Sequence, residues 1–300
     1  MRNKGYLLIA LAGILWSLLG ILVNGLINNN FTPEQVGFTR LFLGFLFLSA
    51  YSFFKTPNSL KLNKVTFMYS LIIGIITQAL FNLSYFNAIN KIGVSLAAIL
   101  LYTSPIFLAI FSKLIYKEHL NKNKVFSLAL CFIGALMSLT GGFLNFSTLS
   151  ISGLLLGLCS ALTYALMPII SKTALKSCDR FSLLIYGFLF GSILMAPFAN
   201  PLEILPLLHD KNNIILCLCL GLLPGASAYI CYVSGINTDI ELSKVGIISS
   251  IELIISVIIG WVILDEPFSI IKLIGLFTMI LSIFIVKDNV NPKQDIKETI

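Results

Sequence analysis

The feature that most constrains this chain is a succession of almost uninterrupted apolar runs, each about as long as a lipid bilayer is thick. No water enters the hydrocarbon layer, so a crossing segment has to satisfy its own N–H and C=O groups, and an apolar helix needs about 20 residues to cover roughly 30 Å. Ten such runs can be delimited, at residues 5–27, 35–54, 66–87, 93–115, 124–143, 151–175, 181–199, 213–235, 244–264 and 269–287. A chain that is 57% hydrophobic and only 11% charged, with mean hydropathy +0.96, is excluded from the soluble enzymes. A transmembrane barrel is excluded as well, because its strands alternate in polarity over about ten residues, whereas residues 7–14 and 254–262 are apolar almost throughout. The expected fold class is an all-α polytopic membrane protein with ten transmembrane helices.

The links between runs are short, which makes successive helices antiparallel and leaves no separate domain outside the membrane. The first run follows Arg2 and Lys4 and so imitates a signal peptide, but it lacks a small-x-small cleavage site and is read as a retained helix. Ten crossings put both termini on one side. Lys and Arg concentrate in cytoplasmic loops. Sixteen of the 20 basic residues fall on the terminal side: Arg2, Lys4, Lys55, Lys61, Lys64, Lys113, Lys117, Lys122, Lys124, Lys172, Lys176, Arg180, Lys244, Lys287, Lys293 and Lys297. The other side has only Lys91 and Lys211, while Arg40 and Lys272 lie within or at the edge of runs. Both termini are therefore predicted to be cytoplasmic in a multi-pass protein of the cell (inner or plasma) membrane. Topology then accounts for the net charge of +7 without nucleic acid as a partner. The six cysteines lie mostly inside apolar runs, where a thiol acts as a small hydrophobe, and no C-x-x-C or Cys/His cluster points to a metal or a disulfide.

The chain also repeats itself. The stretch from Ser104 and Pro105 to Lys117 and Glu118 is echoed 148 residues later by that from Glu252 and Leu253 to Asp265 and Glu266; the same shift lays Ser95 on Ser243 and Lys124 on Lys272. With a one-residue slip in the preceding loop, Tyr85 falls on Tyr232 and Gln78 on Gly225. Five helices repeat five, dividing the chain into halves at 1–145 and 146–288 with a cytoplasmic tail at 289–300. Because five is odd, the second half is expected to enter the membrane from the opposite side. Inverted halves can exchange two packing arrangements of similar energy around a midplane site, which is the geometry of a carrier. Duplication without alternating access is the rival, and a channel of that kind would show a repeated pore loop or a ring of like charges.

Several local motifs sit on this duplication: Leu15-Trp16-Ser17 in the first run, Arg40 in the second, Leu101-Tyr102-Thr103-Ser104-Pro105 and then Glu118 from the fourth, and Ser249-Ser250-Ile251-Glu252 and then Asp265-Glu266-Pro267 from the ninth. In this order, from Tyr6 to Ile285, the chain resembles the ten-helix EamA-type branch of the drug/metabolite transporter superfamily. The resemblance implies export, or less often uptake, of small organic metabolites through a cavity between the halves. The chain departs from it at Leu253, where similar proteins often carry proline, so the resemblance does not extend to a proline kink in the ninth helix.

Charges inside a bilayer cost roughly 2.5 to 3.5 kcal/mol each, which makes Arg40 and Glu252 the first functional candidates. Arg40 lies about 8 Å below the outer surface and can equally snorkel or brace loop backbone. Glu252 lies about 12 Å from the cytoplasmic end, too far from Arg40 for a direct pair unless the helices tilt strongly. It is a candidate to take up a proton or orient a substrate amine, the alternative being a permanently protonated group bonded within the bundle. Gln78, Asn82 and Tyr85 form one stripe of the third helix and Tyr229 and Tyr232 a shorter one on the eighth, facing protein or a water-filled cavity; helix-to-helix hydrogen bonding is the competing role. Trp16, Asn24, Tyr102 and Tyr164 complete the substrate-binding and coupling candidates. Pro105 is expected to kink the middle of the fourth helix, Gly221, Pro224 and Gly225 to interrupt the eighth and Pro168 the sixth, as hinges or as tolerated kinks. Gly134, Gly141, Gly153 and Gly157 read as close helix packing.

No nucleotide-binding G-x-x-x-x-G-K-[ST] loop is present, and His119 and His209 fall in loops, so no cofactor, metal or catalytic residue is assigned. The expected function is a gradient-driven secondary transporter of a small organic metabolite, an amino acid or related compound, with efflux slightly preferred. Its partners are that solute, the lipid bilayer and possible coupling protons, and its state is a monomer or homodimer. A membrane-embedded enzyme acting on a lipid-linked substrate and a passive channel are the rivals. Membrane-impermeant labels should reach the 143–150 turn and the C-terminal tail from opposite faces; finding both on one face would remove the inverted arrangement.

Overall fold

The structure is a computed structural model that describes residues 2–143, 150–238 and 240–287. The expected tail at 289–300, with Lys293 and Lys297, and most of the 143–150 turn lie outside the described residues. The described residues form ten helical rods and no strand. Nine are long and apolar enough to cross a membrane: α1 Asn3–Asn28, α2 Pro33–Lys55, α3 Lys64–Ile92, α4 Val94–Tyr116, α5 Lys122–Thr140, α6 Ile151–Ala174, α7 Arg180–Ala199, α8 Lys211–Ile236 and α9 Leu242–Ile263. The tenth, α10, has a shorter apolar stretch, Ile270–Val286.

The rods begin where polar side chains can satisfy the otherwise orphaned first N–H groups. Thr32 and Gln35 form a reciprocal capping box at α2. Asn63, Asn121, Asp179 and Asp210 accept bonds from the first turns of α3, α5, α7 and α8. The rod α3 runs on to Ile92, beyond the 87 expected from hydropathy, because Gly93 alone makes the turn into α4. Its φ of 81° is open to glycine and strained for other residues.

Connections after odd-numbered rods gather at one end of the bundle. Those after even-numbered rods gather at the other, with the start of α1. At the odd end, Asn29 beyond α1 donates to Asn213 of α8 at 2.6 Å. At the even end, Ser182 and Tyr186 of α7 donate to the carbonyls of Ser59 and Leu60 between α2 and α3. Within the bundle, α1 packs on α8, α2 on α7 and α8, α3 on α6 and α7, and α5 on α10.

The helix irregularities correct several expectations. The rod α4 is two helices, Val94–Leu101 and Ser104–Tyr116, with the break at Tyr102 and Thr103. Pro105 does not kink a continuous helix. It sits in the first turn of the second segment, where a missing N–H leaves no bond unmade. The rod α9 breaks as well, into Leu242–Ser249 and Ile251–Ile263 around Ser250, although no proline is there. Gly221, Pro224 and Gly225 do not interrupt α8. They lie in a widened π-helical stretch, Gly221–Ser227, that absorbs the proline without ending the rod, and α3 widens likewise at Ile73–Leu80. Pro168 lies inside an unbroken α6.

The first segment of α9 packs along the second segment of α4, and Gly246 makes this possible: a Cβ there would stand 2.9 Å from Pro105 Cα. Gly246→Ala should therefore force the two rods apart at the cost of about 1–3 kcal/mol typical of overpacking, read as a lowered thermal unfolding temperature in detergent.

Candidate functional site

A cavity of about 600 Å³ lies between the rods, lined from α1, α2, α3, α4, α6, α8 and α9. Its mouth is taken at the odd end, where the lining residues Ile27 and Val94 are exposed beside Pro33, and its floor at the α4–α9 contact of Pro105, Leu108 and Gly246. Nine of the ten sequence-expected binding residues line it: Trp16, Asn24, Arg40, Asn82, Tyr85, Tyr102, Tyr164, Tyr229 and Glu252. Gln78 does not. It is fully buried behind the wall, where its side-chain carbonyl accepts from Tyr229 Oη at 3.4 Å.

Eight of the lining residues are aromatic: Trp16, Phe81, Tyr85, Phe86, Tyr102, Tyr164, Tyr229 and Tyr232. The Trp16 ring packs against Tyr232 at 5.0 Å, edge-on to Tyr229 at 5.4 Å and to Tyr164 at 6.4 Å. Phe81 links Tyr164 to a stacked Tyr85. The indole N–H of Trp16 donates to the Pro224 carbonyl at 3.1 Å, so the π-helical stretch of α8 holds the ring that centres this group. Such rings offer an apolar body and negative π faces to a ligand.

Two ionisable side chains, Arg40 and Glu252, face this lining. Arg40 is buried at 8% exposure, and its Nη2 donates to Asn82 Oδ1 at 3.2 Å. Asn82 in turn donates to the Gln78 backbone carbonyl at 2.6 Å. The helical i, i+4 spacing read from sequence thus serves both roles at once, with one stripe bracing the arginine and lining the cavity. Arg40 Nε and Gln78 Nε2 are buried without a hydrogen-bond partner among the described residues. Glu252 stands in the first turn of the second α9 segment, facing the positive end of that segment's dipole. Among the described residues it forms no ion pair with Arg40. The helix break at Ser250 therefore places its carboxylate on the cavity with capacity to accept hydrogen bonds. Ser104, its counterpart at the 148-residue shift, also lines the cavity.

Below the floor, the even end is tied shut between front and back halves. The Glu118 carboxylate accepts from the backbone N–H of Leu242 at 2.7 Å and of Ser243 at 3.0 Å, with Lys172 Nζ 3.8 Å away. Glu241 pairs with both Lys124 and Lys244 at 2.8 Å. Burial pushes the Glu241 carboxyl up, but the hydrogen bonds and charges of the two lysines outweigh it and hold it below its usual value. This tie is complete above the ordinary carboxylate range and is lost as pH falls through the depressed value.

Of the other lining residues, Tyr232 is on the stripe that the sequence aims at protein or a cavity, Ser249 and Ser250 are named only within a motif, and Phe81 is not singled out. Phe81 carries no signal, because a phenylalanine in an apolar run looks the same whether it faces lipid or a cavity. The role of Glu118 was out of reach, since its partners are backbone amides 124 residues away.

The profile of the EamA-like transporter family matches residues 3–140 and 151–287. An uncharacterized transporter of Archaeoglobus fulgidus is 25% identical over 243 residues, covering 80% of this chain and 82% of its own. Uncharacterized transporter YdfC of Bacillus subtilis is 22% identical over 245 residues, covering 82% and 78%. A solved crystal structure superposes with a TM-score of 0.80 at 17% identity, covering 95% of this chain and 97% of that one, which shows a shared fold.

The polar network predicts an order of stabilities. Asn82→Ala leaves the buried Arg40 guanidinium short of its acceptor and should cost about 1–3 kcal/mol. Tyr229→Phe removes one long hydrogen bond and should cost about 0.5–1.5 kcal/mol. Thermal unfolding of both variants in one detergent checks the order, and a larger loss in Tyr229→Phe would contradict the network as described.

Proposed function

Because the chain belongs to the EamA-like transporter family, we propose that it is a secondary carrier that moves a small organic solute, an amino acid or a related compound, by alternating access. The observation that carries this reading is the cavity itself: it is lined from both halves, open at one end, tied shut at the other, and holds one cation and one carboxylate on an aromatic wall. A zwitterion suits that lining. Its ammonium group pairs with Glu252 and packs on the π faces of Trp16, Tyr164 and Tyr232, while Arg40 attracts its carboxylate.

An inverted repeat is supported by backbone irregularities that recur at the 148-residue shift. The α4 segment Val94–Leu101 corresponds to Leu242–Ser249 of α9, and, with the one-residue slip that aligns α3 with α8, the π-helical stretch beginning at Ile73 falls within one residue of that beginning at Gly221. Repeats of opposite orientation can rock about a midplane site. We place both termini in the cytoplasm of a cell-membrane carrier, on the basis of the lysine and arginine distribution, and take all ten rods as crossings. On this orientation the cavity faces outward. Export is the favoured direction, and a proton gradient acting through Glu252 is the favoured energy source. Arg40 is read as functional through the Asn82 bond that aims it, and the ten-rod unit is complete as a monomer.

Counterflow into proteoliposomes with a panel of radiolabelled metabolites tests the function. A zwitterionic solute should exchange, and Glu252→Gln should lower its rate at least about tenfold and flatten the pH dependence, as expected for losing a charged hydrogen bond of about 1.5–3 kcal/mol. Wild-type rate and pH profile in that variant would remove Glu252 from coupling.

A further inference from the structure

Glu118 and its repeat counterpart Glu266 are in different states in this structure. At the shift of 148 residues Glu118 corresponds to Glu266, Lys124 to Lys272, and the α4 start Val94-Ser95 to the α9 start Leu242-Ser243. Glu118, from the connection after α4, is 9% exposed and caps the first turn of α9 through Leu242 and Ser243. The equivalent contact for Glu266, from the connection after α9, would be with the first turn of α4. It is not made. Glu266 is 45% exposed and pairs instead with its neighbour Lys272 at 2.9 Å. Among the described residues no side chain accepts from the Val94 or Ser95 N–H groups, and Val94 stands 63% exposed at the cavity mouth. The packing has the same asymmetry. The first segment of α9 lies along the second segment of α4, whereas the first segment of α4 stands apart from the second segment of α9.

We propose that these two glutamates are alternating gate caps, each closing one end of the passage by docking on the first turn of the broken helix of the opposite half. This rests on the inverted-repeat carrier reading above. In the state described here the Glu118 cap is made and the even end is closed. In the opposite state Glu266 leaves Lys272 and accepts from the Val94 and Ser95 N–H groups, closing the odd end. Glu118 then releases Leu242 and Ser243 and turns to Lys124, which gives up Glu241. A carboxylate at a helix N-terminus suits this task. Two charge-assisted bonds and the helix dipole form together on docking, and on release both partners are met by water or a nearby lysine, so neither end traps an unpaired charge. The breaks at Tyr102 and Ser250 let each capped segment move without dragging the rest of its rod.

Amide hydrogen exchange of the full chain in lipid nanodiscs, followed by mass spectrometry, tests the exchange of caps. In the wild type Leu242–Ser243 should exchange slowly and Val94–Ser95 fast. In Glu118→Ala, with Glu118→Gln as the milder variant, Leu242–Ser243 should exchange at least about tenfold faster. Val94–Ser95 should become protected at the same time, because the other cap has formed. Adding Glu266→Ala should abolish that new protection. A purely local capping role for Glu118 would speed Leu242–Ser243 and leave Val94–Ser95 unchanged, which overturns the proposal. Glu266→Ala alone should leave resting exchange as in the wild type and lower counterflow at least about tenfold, since it removes only the opposite state; wild-type counterflow in that variant also overturns it. Exchange needs no solute. A failure of counterflow in the wild-type chain would count against the carrier reading, while the exchange pattern still decides the caps.

Discussion

Lipid offers a polar group nothing to bond to, and the arrangement of this molecule follows from that scarcity. Each rod satisfies its own backbone, so the few polar side chains within the membrane have to find one another or share a wetted interior. Arg40, Asn82, Gln78 and Tyr229 do the first, in a bonded chain that links α2, α3 and α8. Glu252, Tyr102 and Tyr164 do the second. The cavity is thus where the rods leave room for groups that neither lipid nor a neighbouring helix can accommodate.

Backbone deformation supplies that room. A straight helix presents a smooth surface to its neighbours, whereas the breaks in α4 and α9 open space at mid-membrane, next to Tyr102 and Glu252. The π-helical stretches in α3 and α8 do related work by re-aiming side chains on either side, and one of them offers the carbonyl that holds Trp16. The break in α9, made without a proline, lies where Ser249, Ile251 and Glu252 pack on Gly13 of α1, next to Gly246 seated against Pro105.

Much of the site was legible in the chain because depth in a membrane follows from counting residues along a helix. A polar or charged residue near the centre of an apolar run is costly there, so Arg40, Glu252, Asn82 and Tyr85 identified themselves. Gln78 shows the limit of that rule: the same cost is met by a partner behind the wall, and sequence spacing does not separate the two outcomes. The prolines show another. Pro105 and Pro224 marked places where the backbone is irregular, but whether a proline breaks a helix, opens its second segment or is absorbed in a wider turn depends on neighbouring rods.

The sequence by itself determined that the chain is a bundle of apolar helices, where each run begins and ends to within a few residues, and which side chains are too costly to leave in lipid, because these are properties of single segments against a uniform solvent. Tertiary structure alone decided which of those side chains share one cavity, that its mouth is at one end, and that Glu118 rather than Glu266 is docked. Those outcomes depend on contacts between segments more than 100 residues apart, which no single segment specifies by its own composition or periodicity.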